Sequence, residues 1–115
     1  MSFRDPQTRL RDIEESIIAI EEFVQGMNFG AFIRDVRTQA AVERKLLLIG
    51  EAARKLGDDA ETLCPGLPWR DIRGIGDWLR HQYERASSEL VWNTVMHDLP
   101  QLKAAVEKAL YRTFR

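Results

Sequence analysis

The chain has 115 residues, with 17 Lys and Arg against 18 Asp and Glu, a formal net charge of −1 and 44% hydrophobic residues. That length supports one domain with a real core and is too short for two, and the apolar content excludes a disordered chain. The near-neutral charge excludes a long basic tail, the single cysteine excludes an internal disulfide framework, and no run approaches the roughly 20 apolar residues of a membrane span. Met1–Arg11 is too polar for a secretory signal, so the expectation is one cytoplasmic domain over 1–115.

Apolar residues recur in steps of three and four along each long segment, which is the helical period. The first helix begins at Pro6, after the capping residue Asp5, and carries the stripe Leu10, Ile13, Ile17, Ile20, Val24. Its other face holds Arg11, Glu14, Glu15, Glu21 and Glu22, a solvated face, and Gly26 with the stretch 27–30 ends it. A second helix is expected from about Ala31 to Leu56 on the stripe Val42, Leu46, Ile49, Ala53, Leu56, stopped by Gly57. Gly50 lies inside that pattern at a cost of roughly 1 kcal/mol against alanine, and close approach of another helix is the expected reason.

From Asp58 to Pro68 the chain reads as a short helical turn and a loop, with Cys64 a buried small hydrophobe. A medium helix follows from Pro68–Trp69, with the stripe Trp69, Ile72, Gly76, Leu79, Tyr83. The last helix runs from Ser88 through Trp92, Val95, Leu99, Leu102, Val106 and Ala109. Pro100 interrupts it, which predicts a kink or a restart capped by Asp98. The fold class is all-α, an up-and-down bundle of four to five helices. Trp69 and Trp92 read as core; Trp78 points away from the stripe and is the candidate for a dimer or partner surface.

One stretch differs from stripe and solvated face: Arg73-Gly-Ile-Gly-Asp77-Trp-Leu-Arg80-His81-Gln-Tyr83. On a continuous helix Arg73, Asp77, Arg80 and Glu84 share a polar sector with His81 at its border. Asp77 is placed to orient an imidazole and hold an arginine. Histidine acts as acid or base near neutral pH, and guanidinium suits a phosphodiester. A metal-independent ribonuclease needs these parts: a base for the 2′-hydroxyl, an acid for the leaving oxygen, and a cation for the pentacovalent phosphate. One histidine on one helix makes a thin site, so a symmetric homodimer is expected to bring two copies together. The same spacing equally describes an ordinary salt-bridge lattice. No metal cluster surrounds His97, and no cofactor is implied.

At these residues the chain resembles the HepT-like branch of the HEPN superfamily. The resemblance is carried by Asp35–Glu43 with Leu48-Ile-Gly-Glu-Ala, by Pro68-Trp69 with Ile72-Arg73-Gly74, and by His81-Gln-Tyr83 followed by Val91-Trp92 and Asp98-Leu-Pro-Gln-Leu102. It implies an all-α homodimer acting as a ribonuclease toxin on RNA. It also implies a small nucleotidyltransferase antitoxin as partner, which adenylylates the tyrosine of a His-x-Tyr motif. Carried over, the catalytic histidine falls on His81, the modified tyrosine on Tyr83 and the polar residue after the family's arginine on Asp77. The arginine, four to six residues before the histidine in the family, falls on Gly76 or Gly74, so Arg80 or Arg73 is expected to stand in as phosphate clamp. The alternative is a non-catalytic interaction module that binds the nucleotidyltransferase.

Overall fold

The structure, a computed structural model, describes residues 5–81 and 85–114, and the side chains of all of these but 85–87. Every regular element among them is helical. Helix α1 spans Pro6–Phe23. The Asp5 carboxylate caps it, accepting from the Thr8 backbone N–H at 3.3 Å and the Thr8 hydroxyl at 2.6 Å. Its buried residues are Leu10, Ile13, Ser16, Ile17 and Ile20, the expected stripe plus one serine.

The segment expected as one helix from Ala31 is two. Helix α2 spans Phe29–Arg34 and α3 spans Val36–Leu56. Asp35 divides them because its carboxylate accepts from the backbone N–H of Thr38 at 3.0 Å and its hydroxyl at 2.8 Å. A residue capping a new helix leaves helical geometry itself, and Asp35 sits at φ −111°, ψ 89°. These capping bonds hold the Asp5 and Asp35 carboxyls below their ordinary range, the Thr8 hydroxyl chiefly in the first and the Thr38 N–H in the second. Gly57 ends α3 at φ 56°, as the sequence predicts.

Helix α4 covers Asp59–Leu63, α5 Trp69–Arg73 and α6 Ile75–His81. The expected medium helix is therefore broken at Gly74, whose N–H closes the end of α5 on Arg70 and Asp71 carbonyls, both at 3.1 Å. Helix α7 spans Arg85–Asn93, a π-helical turn covers Thr94–Asp98, and α8 runs Leu99–Thr113. Pro100 explains the turn. It has no N–H for the Met96 carbonyl and its ring crowds that carbonyl, so the helix widens for one turn and continues. Asp98 keeps helical dihedrals and makes no side-chain cap, so the expected capped restart is replaced by this π bulge.

Helix α3 is the hub: α1 lies along it, and α2, α4, α5 and α6 all pack on it, while α8 covers α1. The buried apolar residues form one cluster. Trp69, 2% exposed, anchors the α5 end of that cluster and donates its indole N–H to the Cys64 carbonyl at 2.8 Å. Cys64 is buried as expected, its thiol facing the Ala105 carbonyl on α8 at 3.7 Å, and burial pushes that thiol up. Phe32 and Trp92 pack at 5.1 Å between ring centroids and tie α2 to α7.

Gly50 does what its place in the pattern implies. A Cβ there would lie 3.2 Å from the Ile72 carbonyl oxygen and 3.3 Å from the Ile75 Cβ. The bare backbone lets the α5–α6 junction rest directly on α3. Gly50→Leu is therefore expected to destabilise the protein by about 1–3 kcal/mol through overpacking. Urea denaturation followed by circular dichroism measures it; an unchanged midpoint would remove the close approach as the reason for this glycine.

Candidate functional site

The α5–α6 junction and the end of α3 assemble the candidate site. Because α5 stops at Arg73 and α6 starts after Gly74, Arg73 does not join the α6 sector that helical spacing assigns to it. Its guanidinium turns instead to the α3–α4 corner. It donates to Glu61 Oε2 at 2.9 Å, to Glu61 Oε1, and to the Gly57 carbonyl at 2.8 Å. The Arg73 hydrogen bond holds the Glu61 carboxyl below its ordinary range and, reciprocally, Glu61 raises the Arg73 guanidinium. Arg73 is thus a tie between elements, with its charge already matched.

Asp77 and Arg80 do meet on α6 as an ion pair. Asp77 also faces Arg54 of α3, whose Nη2 lies 3.6 Å from Asp77 Oδ2. The Arg54 Nε donates to the Arg73 carbonyl oxygen at 2.8 Å, which fixes its guanidinium at the C-terminal end of α5. His81 is exposed at the last position of α6, one turn beyond Asp77. Among the described residues Asp77 pairs with these two arginines and makes no ion pair with His81. Tyr83 and Glu84 lie outside the described residues.

In the sequence Arg54 reads only as a cation suited to the C-terminal end of its helix, because nothing in α6 spacing points to a residue on α3. A signal was present: Arg54 is one turn beyond Gly50, the residue already marked as a helix contact. Position 76 also faces α3. A Cβ on Gly76 would meet Leu47 Cδ2 at 3.6 Å, an ordinary contact, so the glycine is not required for space.

Beside this cluster a cleft of about 570 Å³ opens between the α5–α6 segment and the start of α8. Leu46, Leu67, Ile72, Ile75, Leu99 and Leu102 contribute its apolar walls, with Trp78 among them. Trp78 is half-buried and packs against the core, so its ring forms a cleft wall, while Asp77, Arg80 and His81 of α6 are exposed and Leu79 is buried. Among the described residues no group of three or more His, Cys, Asp or Glu is placed to hold a metal ion, and no helix is long and apolar enough to cross a membrane.

Imidazole and guanidinium groups of this kind are chemically suited to a phosphodiester. Comparison with known proteins is consistent with that chemistry: the family model described as ribonuclease HepT-like matches residues 13–109. The chain belongs to the HepT-like ribonuclease family. It is 40% identical over 105 residues to the protein named "Probable ribonuclease HepT" of Thermococcus cleftensis, covering 91% of this chain and 96% of that one. It is 36% identical over 107 residues to a Methanocaldococcus jannaschii protein named as a putative RNase, covering 93% and 98%. A second such protein of the same organism is 33% identical over 110 residues, covering 96% and 91%. No solved structure matches the chain.

Proposed function

We propose that the chain is a ribonuclease toxin of a toxin–antitoxin module, acting as a homodimer and neutralised by a nucleotidyltransferase. The reading takes the helical pieces as the four to five segments of one up-and-down HEPN bundle. The observation that carries it is the exposed imidazole of His81 one turn from the Asp77–Arg80 pair, in a chain of a ribonuclease family. His81 removes the proton from a ribose 2′-hydroxyl, whose oxygen attacks the adjacent phosphorus. The bond to the 5′-oxygen breaks, and that oxygen takes a proton from the same histidine of the second copy. The products are a 2′,3′-cyclic phosphate and a free 5′-hydroxyl, and no metal is needed. Arg80 neutralises the charge that builds on the phosphate oxygens, and Asp77 holds Arg80 in place. Arg73, committed to Glu61 and Gly57, supports the α5 end and contributes through position.

Tyr83 is the switch in this reading. In adenylylation by an antitoxin using ATP, its hydroxyl oxygen bonds to the α-phosphorus and pyrophosphate leaves, which adds a bulky anion two residues from His81 that repels RNA and covers the imidazole. A second reading, a non-catalytic module that binds the nucleotidyltransferase, is favoured by the glycines at positions 74 and 76, where the resemblance places the arginine.

Growth separates the two. Induced expression of the wild type is expected to arrest growth, and co-expression of the neighbouring gene, expected to encode the nucleotidyltransferase, to relieve the arrest. Tyr83→Phe is expected to arrest growth and to resist that relief. A well-expressed wild type that leaves growth untouched assigns the chain to the second reading.

A further inference from the structure

Arg54 brings a second cation to the site from outside its own helix, beside Arg80 of α6. It sits in the last turn of α3 with a half-exposed side chain, yet its orientation is set. The hydrogen bond from Nε to the Arg73 carbonyl uses one of its five N–H donors and leaves the four on the Nη atoms, of which Nη2 lies near Asp77 of α6. Asp77 at 3.6 Å is close enough for charge attraction and beyond hydrogen-bond length. Arg54 and Arg80 share that single carboxylate, so the trio carries one positive charge in excess. Arg54, Asp77 and Arg80 are all more than half exposed, at 53%, 59% and 67%, where ion pairs add little to stability.

Gly50, one turn before Arg54, lets the α5–α6 junction rest on α3, which brings α6 close to the end of α3 that carries Arg54. The Asp77 end of α6 lies about 6 Å along the helix axis from His81. Both guanidinia that meet at Asp77 are therefore about one helical turn from the imidazole.

We infer that Arg54 contacts the RNA phosphodiester, forming with Arg80 a two-guanidinium clamp in which Asp77 is the positioning residue. The inference rests on the ribonuclease reading above and adds to Arg80 a second phosphate-binding cation. A planar guanidinium offers a phosphate two parallel N–H groups, which an ammonium does not. Arg54 arrives with its orientation already set by the Arg73 carbonyl, so little freedom is lost on binding.

The test is the salt dependence of binding and the rate of cleavage of a single-stranded oligoribonucleotide by the full chain. Arg54→Gln, whose amide still reaches the Arg73 carbonyl, is expected to reduce the slope of log K against log salt by about 0.7, the loss of one phosphate contact. Cleavage is expected to fall about 100-fold, with the thermal midpoint held. Arg54→Lys is expected to keep the salt slope and lose cleavage. Asp77→Asn carries the test should Arg54→Gln fail to fold: freeing both guanidinia from the shared charge is expected to tighten RNA binding, and unchanged or weaker binding would overturn the clamp. If the wild type cleaves and Arg54→Gln matches it in slope and rate, the inference falls and the ribonuclease reading stands. If the wild type neither binds nor cleaves RNA, both fall. A lowered thermal midpoint with an unchanged slope makes Arg54 a structural tie, which also overturns the clamp.

Discussion

Replacing His81 with alanine is expected to reduce RNA cleavage by about 10²–10⁴-fold, the usual contribution of a positioned general acid or base. In a symmetric dimer the loss falls on both proton transfers at once, which places it toward the upper end. The fold is expected to survive, because the side chain is exposed at the end of α6 and the core cluster does not include it. Cleavage of single-stranded RNA by the purified variant, beside its circular dichroism and thermal midpoint, checks both parts. Wild-type cleavage by folded His81→Ala would move the chemistry to another residue.

Trp69→Ala is expected to have the largest effect on stability. The indole is 2% exposed at the point where α5 meets the core, and its truncation removes a large buried volume and a hydrogen bond together. Large aromatic truncations in a core cost about 3–5 kcal/mol. Small domains hold about 5–15 kcal/mol in all, so the variant is left marginal or unfolded. Trp69→Phe keeps most of the volume and leaves the Cys64 carbonyl without its donor, so a smaller loss of about 1–3 kcal/mol is expected. Urea denaturation orders the three proteins; an alanine variant as stable as wild type would mean that α5 is held from elsewhere. The consequence reaches the site, since α5 carries the carbonyl that orients Arg54.

The helical stripes were legible because their period survives any detail of packing. Leu10, Ile13, Ile17 and Ile20 are buried in α1, and Val42, Leu46, Ile49, Ala53 and Leu56 in α3, as the pattern requires. Helix breaks were harder, because each depends on a local hydrogen bond that competes with continuation. Asp35 reads as an ordinary helical residue until its carboxylate takes the Thr38 N–H, and Gly74 as one residue of a continuous helix until α5 closes on it. Pro100 announced a disturbance, while its form, a π turn upstream instead of a cap at Asp98, follows from where the freed carbonyl lies.

The candidate site was legible to the extent that it is local. Asp77 with Arg80 is a pair three residues apart on one helix, and spacing finds it. Arg73 fails the same logic because the break at Gly74 turns it toward Glu61. Arg54 is a tertiary contact across two elements, and the one sequence clue to it was a glycine in the wrong place for a helix.

The most direct test of the ribonuclease reading uses the purified, partner-free chain, with Tyr83 confirmed unmodified by mass. It is incubated with single-stranded RNA in excess chelator and the fragment ends are analysed. The account predicts fragments ending in 2′,3′-cyclic phosphate and beginning with 5′-hydroxyl, absent with His81→Ala. RNA left intact by folded wild-type dimer would contradict it.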